Sequence, residues 1–227
     1  MIKKIWHWVR DYSHLLHKHS LAFIYRKPPR HYLGHIVEHK APVILIPGVY
    51  EKWHFLQALA DPVSHTGHPI YVLEHLGYNT EEVHRSAKLV RELIDEKNLR
   101  NVIILAHSKG GLIGKHLLAF DNKDGRIKKV VAIATPFAGS RFPRVTRWKN
   151  LREFHPEHET LKKLKKQSHI NHRVVSIFGE YDNHVWPTES CRLEGAKNIQ
   201  VHSHGHHAIL FSKKVRDIVM TEVEEIL

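Results

Sequence analysis

Residues 102–111 read Val-Ile-Ile-Leu-Ala-His-Ser-Lys-Gly-Gly, an apolar run followed by a serine and then by glycines. The apolar run predicts a buried strand, and the residues after the serine predict the start of a helix. Small residues, Ala106 and Gly110, flank Ser108 at the positions where strand and helix must approach while the serine lies on a strained turn. The pattern is typical of a nucleophile elbow. The alternative is a serine that only caps the helix.

On both sides of this stretch, short apolar runs alternate with longer amphipathic ones. The alternation predicts an α/β fold with a mostly parallel central sheet and helices on both of its faces. We predict strands at residues 43–46, 70–73, 102–105, 130–133, 174–178 and 199–201. We predict helices at residues 79–97, with Asn79 as the N-cap, and at residues 110–120 and 209–226.

The N-terminal residues 2–16 carry apolar side chains at helical spacing with basic residues between them, which predicts an amphipathic helix. We predict that this helix ends before Arg26, because Pro28 and Pro29 prevent a helix at their position, and that an early edge strand follows from Tyr32 to Val37. No linker-like stretch divides the rest of the chain. We therefore divide it into an N-terminal helix and linker, residues 1–30, and one domain, residues 31–227.

The composition is strongly basic: 35 Lys and Arg residues against 23 Asp and Glu give a net charge of +12, which attracts anions. We find no nucleic-acid-binding motif, so no nucleic acid partner is expected. Cys191 is the single cysteine, which excludes an internal disulfide framework and fits a reducing compartment. No apolar stretch is long enough for a signal peptide or a spanning helix. We expect a cytoplasmic protein, soluble or peripheral to a membrane.

A serine hydroxyl becomes a nucleophile at neutral pH when a base takes its proton and an acid orients that base. Asp182 follows the predicted strand at residues 174–178 and is the first candidate for the acid. Glu180 is the second candidate. A turn aspartate that binds its own backbone is the non-catalytic alternative.

The candidate bases crowd one histidine-rich stretch before the last predicted helix: His202, His204, His206 and His207. Residue type alone does not choose among them. A solvated loop is one alternative and a transition-metal site is another, because imidazoles suit zinc or nickel. We predict no metal and no cofactor, and activity that withstands a chelator would exclude a required metal.

Residues 42–227 resemble the lipase and esterase branch of the α/β-hydrolase superfamily. The resemblance lies in Ala106-x-Ser108-x-Gly110, Thr135-Pro-x-x-Gly-Ser140, Asp182 with Val185-x-Pro187, and Gly205-His206-x-x-Ile209-Leu210. Ala106 stands where glycine is usual, a variation known in bacterial lipases. The resemblance favours Asp182 as the acid and His206 as the base. It also implies that the polar, basic insert at about residues 141–168 is a short cap or lid, helical in part.

An oxyanion hole needs backbone N–H groups directed at the developing charge. The residue after the nucleophile, Lys109, supplies one of them. The resemblance implies Val49 N–H as the other, because Pro47-Gly48-Val49-Tyr50 occupies the place of the family's His-Gly-x. An ordinary Pro-Gly turn is the alternative. The Lys109 side chain is expected to be solvated, or to meet an anionic group of the substrate.

Aromatic residues in segments that should border the site are candidates for substrate binding: Tyr50, Trp53 and Trp186. They suggest an apolar acyl or aromatic group in the substrate, and ordinary core packing is the alternative. The N-terminal helix, with Arg141, Arg144, Arg147, Trp148 and Lys149, could dock on an anionic membrane. Packing of this helix on the domain or against a second subunit is the alternative.

The resemblance implies a serine hydrolase, a carboxylesterase or lipase, that cleaves a small-molecule or lipid ester through an acyl-enzyme on Ser108. An acyltransferase or a lactone hydrolase would use the same acyl-enzyme. The alternative from another class is a non-catalytic protein that keeps the hydrolase fold and binds a lipid or polyanion.

Overall fold

The computed structural model of the protein describes residues 2–141 and 149–225, without the side chains of residues 2–5 and 149–150. Of the basic and aromatic positions predicted to meet a membrane, Arg144, Arg147 and Trp148 lie outside the described residues, as does the Lys149 side chain. The described chain is built around one parallel sheet.

The strands of this sheet are β1 (Val43–Ile46), β2 (Ile70–Val72), β3 (Val102–His107), β4 (Ile127–Ile133), β5 (Val174–Tyr181) and β6 (Lys197–His204). Their order across the sheet is β2-β1-β3-β4-β5-β6, and every neighbouring pair is parallel. This confirms the predicted α/β class and the parallel sheet. Because the strands share one direction, their carboxyl ends meet at one edge, where α/β proteins place their ligands.

The helices are α1 (Ile2–Ile24), α2 (His31–Gly34), α3 (Gln57–His65), α4 (Val83–Glu96), α5 (Lys109–His116), α6 (Glu159–Lys165) and α7 (Lys213–Glu224). Apolar residues of α4 and α5 form a core on one face of the sheet, and those of α3 and α7 form a core on the other. Successive side chains of β1 point to opposite faces of the sheet, so the strand contributes to both cores. Ile44 and Ile46 lie in the first core, and Val43 and Leu45 lie in the second.

The predicted edge strand from Tyr32 to Val37 is wrong. Residues 31–34 form the short helix α2, with Arg30 as its N-cap, so Pro29 lies before the helix and does not interrupt it. Tyr32 N–H donates to the Pro29 carbonyl at 3.1 Å, and the buried Tyr32 ring packs edge-on against Trp53. Burial of this one aromatic ring against Trp53 fixes a helical turn where the pattern suggested a strand.

The predicted N-cap of α4 is also wrong. Asn79 lies before the helix, with a φ of 50°, and its side chain donates to the Pro47 carbonyl and accepts from the Ser86 hydroxyl. The first N–H of α4, that of Val83, instead donates to the carboxylate of Glu153 at 3.1 Å. A long-range acceptor thus replaces the local cap.

The insert is helical in part, as predicted, with a 3-10 turn at Lys149–Phe154 followed by α6. Its apolar side chains join the core beside α4 and α5: Leu151, Phe154, Leu161 and Leu164. The described part of the insert is therefore packed into the domain, and a function as a lid remains a prediction.

Helix α1 ends at Ile24, just before Arg26, as predicted, and it packs on the domain. Asp11, Lys18 and Ala22 are buried. Of the apolar residues in the predicted pattern, Tyr12 and Leu15 are half-buried, and Leu15 packs against the core. Other apolar side chains of the helix point outward and are exposed: Trp6, Val9, Leu16, Phe23 and Ile24. The helix therefore contacts the domain through a face that carries both charged and apolar side chains.

Candidate active site

Ser108 lies on the turn between β3 and α5, at the carboxyl edge of the sheet. Its φ of 50° and ψ of −119° place it in a region that residues with a side chain rarely adopt, at a cost of about 1–3 kcal/mol. Its N–H donates to the Ile133 carbonyl at 2.8 Å, and the Thr135 hydroxyl donates to its carbonyl at 2.9 Å. These bonds from β4 and the turn after it hold the serine in its strained conformation.

The glycines after the serine are required by close packing. A Cβ atom on Gly110 would lie 2.0 Å from the carbonyl oxygen of Ile46, and one on Gly111 would lie 2.0 Å from the Thr135 hydroxyl. Ala106 is fully buried between Ile46 of β1 and a residue of β4. The small residues of the motif therefore allow α5 to approach the end of β1.

Asp182 and His206 form a buried pair. His206 Nδ1 lies 2.7 Å from Asp182 Oδ2, and the other carboxylate oxygen accepts the N–H groups of His184 and Val185 at 2.7 and 2.8 Å. Burial raises the pKa of Asp182, but the charge and hydrogen bond of His206 more than offset this, so the net pKa is lowered. An ionised carboxylate only accepts, so Nδ1 carries the proton and Nε2 is left for a hydroxyl proton.

The three candidate catalytic residues lie at the same edge of the sheet: Ser108 follows β3, Asp182 follows β5 and His206 follows β6. His107, the neighbour of the serine, links the elbow to the base loop. Its Nε2 lies 3.0 Å from the His206 carbonyl oxygen, and the centroids of the two rings lie 4.7 Å apart. The structure thus brings the elbow and the acid–base pair into contact through adjacent residues.

The competing candidates from the sequence have other partners. Glu180 lies 2.9 Å from His202 and 3.5 Å from His204, and its carboxylate does not serve His206. His207 is directed to carboxylates other than Asp182. Contact geometry therefore separates the histidines that residue type alone left open.

His207 belongs to a second buried charge cluster, which the sequence did not predict. Its Nδ1 lies 3.0 Å from Asp11 of α1 and its Nε2 lies 3.3 Å from Glu51. Burial lowers the pKa of His207, but the hydrogen bonds and charges of the two carboxylates outweigh it and raise the pKa to about 9. His207 is therefore an imidazolium at neutral pH.

Asp11 also holds the backbone of the base loop. Its Oδ1 accepts the N–H groups of His207 at 2.7 Å and Ala208 at 2.8 Å, and Asn183 donates to its Oδ2 at 3.1 Å. A Cβ atom on Gly205 would lie 2.6 Å from Asp11 Oδ1, so glycine is required there. The two residues after His206 are thus held by α1, and Gly205 before it lies close to Asp11.

Glu51 connects the cluster to the predicted oxyanion loop. Its carboxylate accepts the Gly48 N–H at 2.8 Å and lies 2.9 Å from His107 Nδ1. Burial raises the pKa of Glu51, while His107 and His207 together bring it well below its usual range. One buried carboxylate therefore joins the loop after β1, the elbow and the base loop.

The predicted oxyanion donors lie on segments that touch. Lys109 begins α5, and the next residue, Gly110, approaches Ile46 and Pro47 so closely that a Cβ would lie 3.1 Å from the Pro47 carbonyl oxygen. Val49 follows two residues after Pro47. Their role as donors to a developing oxyanion remains a prediction.

The predicted substrate residues lie in separate places. Trp53 borders a cavity of about 390 Å³ together with Leu45, Pro47 and Tyr78. Trp186 belongs to the acid loop, where its indole N–H donates to the Asp182 carbonyl at 3.2 Å. Tyr50, with a φ of 62°, donates its N–H to the Tyr78 carbonyl at 2.7 Å. Contact of these residues with a substrate remains a prediction.

The Lys109 side chain is not solvated, contrary to the expectation from the sequence. It is 1% exposed and donates to the backbone carbonyls of Asn79 and Glu81. Burial lowers its pKa to about 8, against the smaller raising effect of nearby carboxylates led by Glu153. Its role is thus to bind the segment before α4 to the elbow helix.

The charge of His207 predicts a pH dependence of stability. Because its folded pKa of about 9 exceeds the usual 6.5, it contributes roughly 3 kcal/mol that is present below pH 6.5 and lost as the pH rises through 9. Burial lowers the pKa of Lys109 and Lys115 to about 8. The stability that these two lysines cost is therefore regained as the pH rises above 8, opposite to the effect of His207. His207→Gln isolates the histidine: urea unfolding of the wild type should lose more stability across this range than the variant, and identical profiles would contradict the assigned charge.

Comparison with known proteins identifies the family. Residues 41–183 match the family described as alpha/beta hydrolase fold, and the chain belongs to it. Mature Bacillus licheniformis lipase has a similar structure, with a TM-score of 0.63 and 14% identity over 84% of this chain and 95% of that one. So does a monoacylglycerol lipase of Paleococcus ferrophilus, with a TM-score of 0.59 and 14% identity over 82% and 95%.

A carboxylesterase structure from the thaumarchaeon Nitrososphaera gargenis is also similar, with a TM-score of 0.60 and 12% identity over 85% of this chain and 93% of that one. At these identities the similarity shows the shared fold. No helix within residues 2–141 and 149–225 combines the length and the apolar character needed to cross a bilayer.

Proposed function

We propose that this α/β hydrolase is a serine carboxylic-ester hydrolase, an esterase or lipase that works through an acyl-enzyme. Ser108 Oγ attacks the ester carbonyl while His206 Nε2 takes its proton, and Asp182 stabilises the imidazolium that forms. The N–H groups of Val49 and Lys109 stabilise the oxyanion. The protonated His206 then gives its proton to the leaving alkoxide.

The second half of the reaction uses the same groups. His206 takes a proton from water, the resulting hydroxide attacks the acyl carbonyl, and the proton passes to Ser108 as the carboxylic acid leaves. The observation that carries the proposal is the buried Asp182–His206 bond of 2.7 Å at the edge of the sheet where Ser108 lies in a strained elbow. If Asp182 were only a turn residue that binds its own backbone, it would not need to be buried or to bond Nδ1 of a buried histidine.

The proposed substrate is an ester with an apolar acyl group. The lipases and esterases among the structural relatives support this choice. A panel of p-nitrophenyl esters of graded chain length, with and without micelles, tests it. Turnover to the free acid is expected; transfer to an added alcohol in preference to water would favour an acyltransferase, and absence of turnover would favour a binding protein.

We also propose an anionic membrane surface as a partner, through the outward face of α1. Trp6 is 64% exposed and Phe23 is 80% exposed, an unusual degree for large apolar side chains, and basic residues such as Arg10 border the face. Docking there would bring lipid esters to the domain.

Vesicle co-sedimentation tests this second proposal. Binding should rise with the fraction of anionic lipid, fall with salt and weaken in the double variant Val9→Ser, Leu16→Ser. Phe120→Ser, which changes an exposed apolar residue outside α1, is the matched control. Co-sedimentation that changes neither with the fraction of anionic lipid nor with salt would contradict membrane binding.

A further inference from the structure

A second group of potential ligands lies at the edge strand of the sheet: Glu180, His202 and His204. Each of them offers one metal-binding atom, and these atoms lie within 4.8 Å of one another. Glu180 Oε2 is 2.9 Å from His202 Nδ1 and 3.5 Å from His204 Nε2. Among the described residues, no other three His, Cys, Asp or Glu side chains offer ligand atoms that lie this close together.

The backbone explains why these side chains converge. His202 and His204 are two residues apart on β6, so both project from the same face of the strand. Glu180 lies on the neighbouring β5, where Tyr181 pairs with His204 after a register shift. Since β6 is an edge strand, the group opens to solvent, and an ion could reach it without unfolding the sheet.

We propose that Glu180, His202 and His204 bind one divalent transition-metal ion, best zinc. Zinc takes imidazole nitrogens and carboxylate oxygens at about 2.0–2.2 Å in a tetrahedron, which places ligand atoms about 3.3 Å apart. The separations of 2.9 and 3.5 Å lie on either side of this value. Three protein ligands leave a fourth position for water. Magnesium and calcium prefer sites built from oxygen atoms.

Contacts from α1 orient one ligand before any ion arrives. The His7 ring stacks on the His204 ring, with centroids 4.5 Å apart and planes 12° from parallel. Arg10 donates to the His204 carbonyl at 2.9 Å. A ligand whose rotation is restricted loses less entropy on binding. The positive charge of Arg10 opposes a cation, while the carboxylate of Glu180 attracts it.

The site has a structural consequence that does not depend on the proposed enzymatic activity. Glu180 lies on β5 two residues before Asp182, and His204 ends β6 two residues before His206. A bound ion would therefore fasten together the two strand ends from which the candidate acid and base loops emerge. Binding to the folded chain raises its stability by mass action.

Calorimetric titration of the full chain with zinc chloride tests the proposal. The wild type should bind one zinc ion with an affinity higher than that of single surface histidines for zinc. His202→Gln and His204→Gln should each weaken the binding of this ion by about tenfold or more. His39→Gln is the matched control, because His39 is an exposed histidine 3.7 Å from a single carboxylate, that of Glu38.

A thermal-unfolding series gives the second readout. Zinc should raise the Tm of the wild type and of His39→Gln, and leave that of His204→Gln unchanged, even where removal of the ligand itself shifts the starting Tm. Equal zinc affinity in the wild type and in both ligand variants would overturn the proposal. Magnesium binding as tight as that of zinc would also overturn it.

Discussion

The Ser108→Ala variant is expected to lose ester hydrolysis almost completely, with kcat falling by about four orders of magnitude or more while KM changes little. The expected loss is this large because the hydroxyl forms the covalent bond to the acyl group, and the acid–base pair has no substitute nucleophile of equal reactivity. Steady-state kinetics on short p-nitrophenyl esters measure it. The methyl side chain fits the strained turn, so the circular dichroism spectrum should be preserved.

The matched control for this variant is Ser20→Ala on α1. Ser20 is exposed, and its hydroxyl donates only to the His17 carbonyl one turn earlier, at 2.7 Å. Its kinetics should equal those of the wild type. A Ser108→Ala protein that keeps more than about a tenth of wild-type kcat would show that the nucleophile lies elsewhere.

The Asp11→Ala variant is expected to lose about 3–5 kcal/mol of unfolding free energy, because it removes one partner of a buried charged pair. It would leave the His207 imidazolium with Glu51 alone and would strip the His207 and Ala208 N–H groups of their acceptor. Since these residues follow His206 directly, kcat should fall together with the stability. Urea unfolding and kinetics at neutral pH measure the two effects.

Two companion variants separate positioning from general destabilisation. Asp11→Asn keeps an oxygen for the backbone N–H groups but loses the charge, so it should restore part of kcat while shifting the pH dependence contributed by His207. Asp217→Ala removes an exposed partner of Lys213 on α7 and should cost about 1 kcal/mol or less. A loss in Asp11→Ala no larger than in Asp217→Ala would contradict the role assigned to α1.

Local sequence patterns were sufficient for the sheet and for the elbow. Every residue of β1 and β3 is buried. Because both faces of these strands are covered, their sequences are continuous apolar segments that are easy to recognise. Asp182 and His206 could be singled out because the residues around them resemble the acid and base loops of the family. Their catalytic roles, like that of Ser108, remain predictions.

The second charge cluster could not be found in this way, because its members are far apart in the chain. Asp11 and His207 are separated by 196 residues, and no periodicity links them. A charged residue within an amphipathic helix was the available signal, and the sequence did not show which face of that helix contacts the domain. The buried pairing of Asp11 with His207 and the backbone of its loop accounts for the face that is observed.

The proposed function depends on activation of Ser108 by His206. A fluorophosphonate probe tests this most directly, because it reacts with an activated serine. The probe can be used without knowing the natural ester. Peptide mass spectrometry of the wild type should find the phosphonyl adduct on Ser108, and His206→Gln, folded by circular dichroism, should label far more slowly. An unlabelled wild type, or an adduct on another serine, would contradict the account.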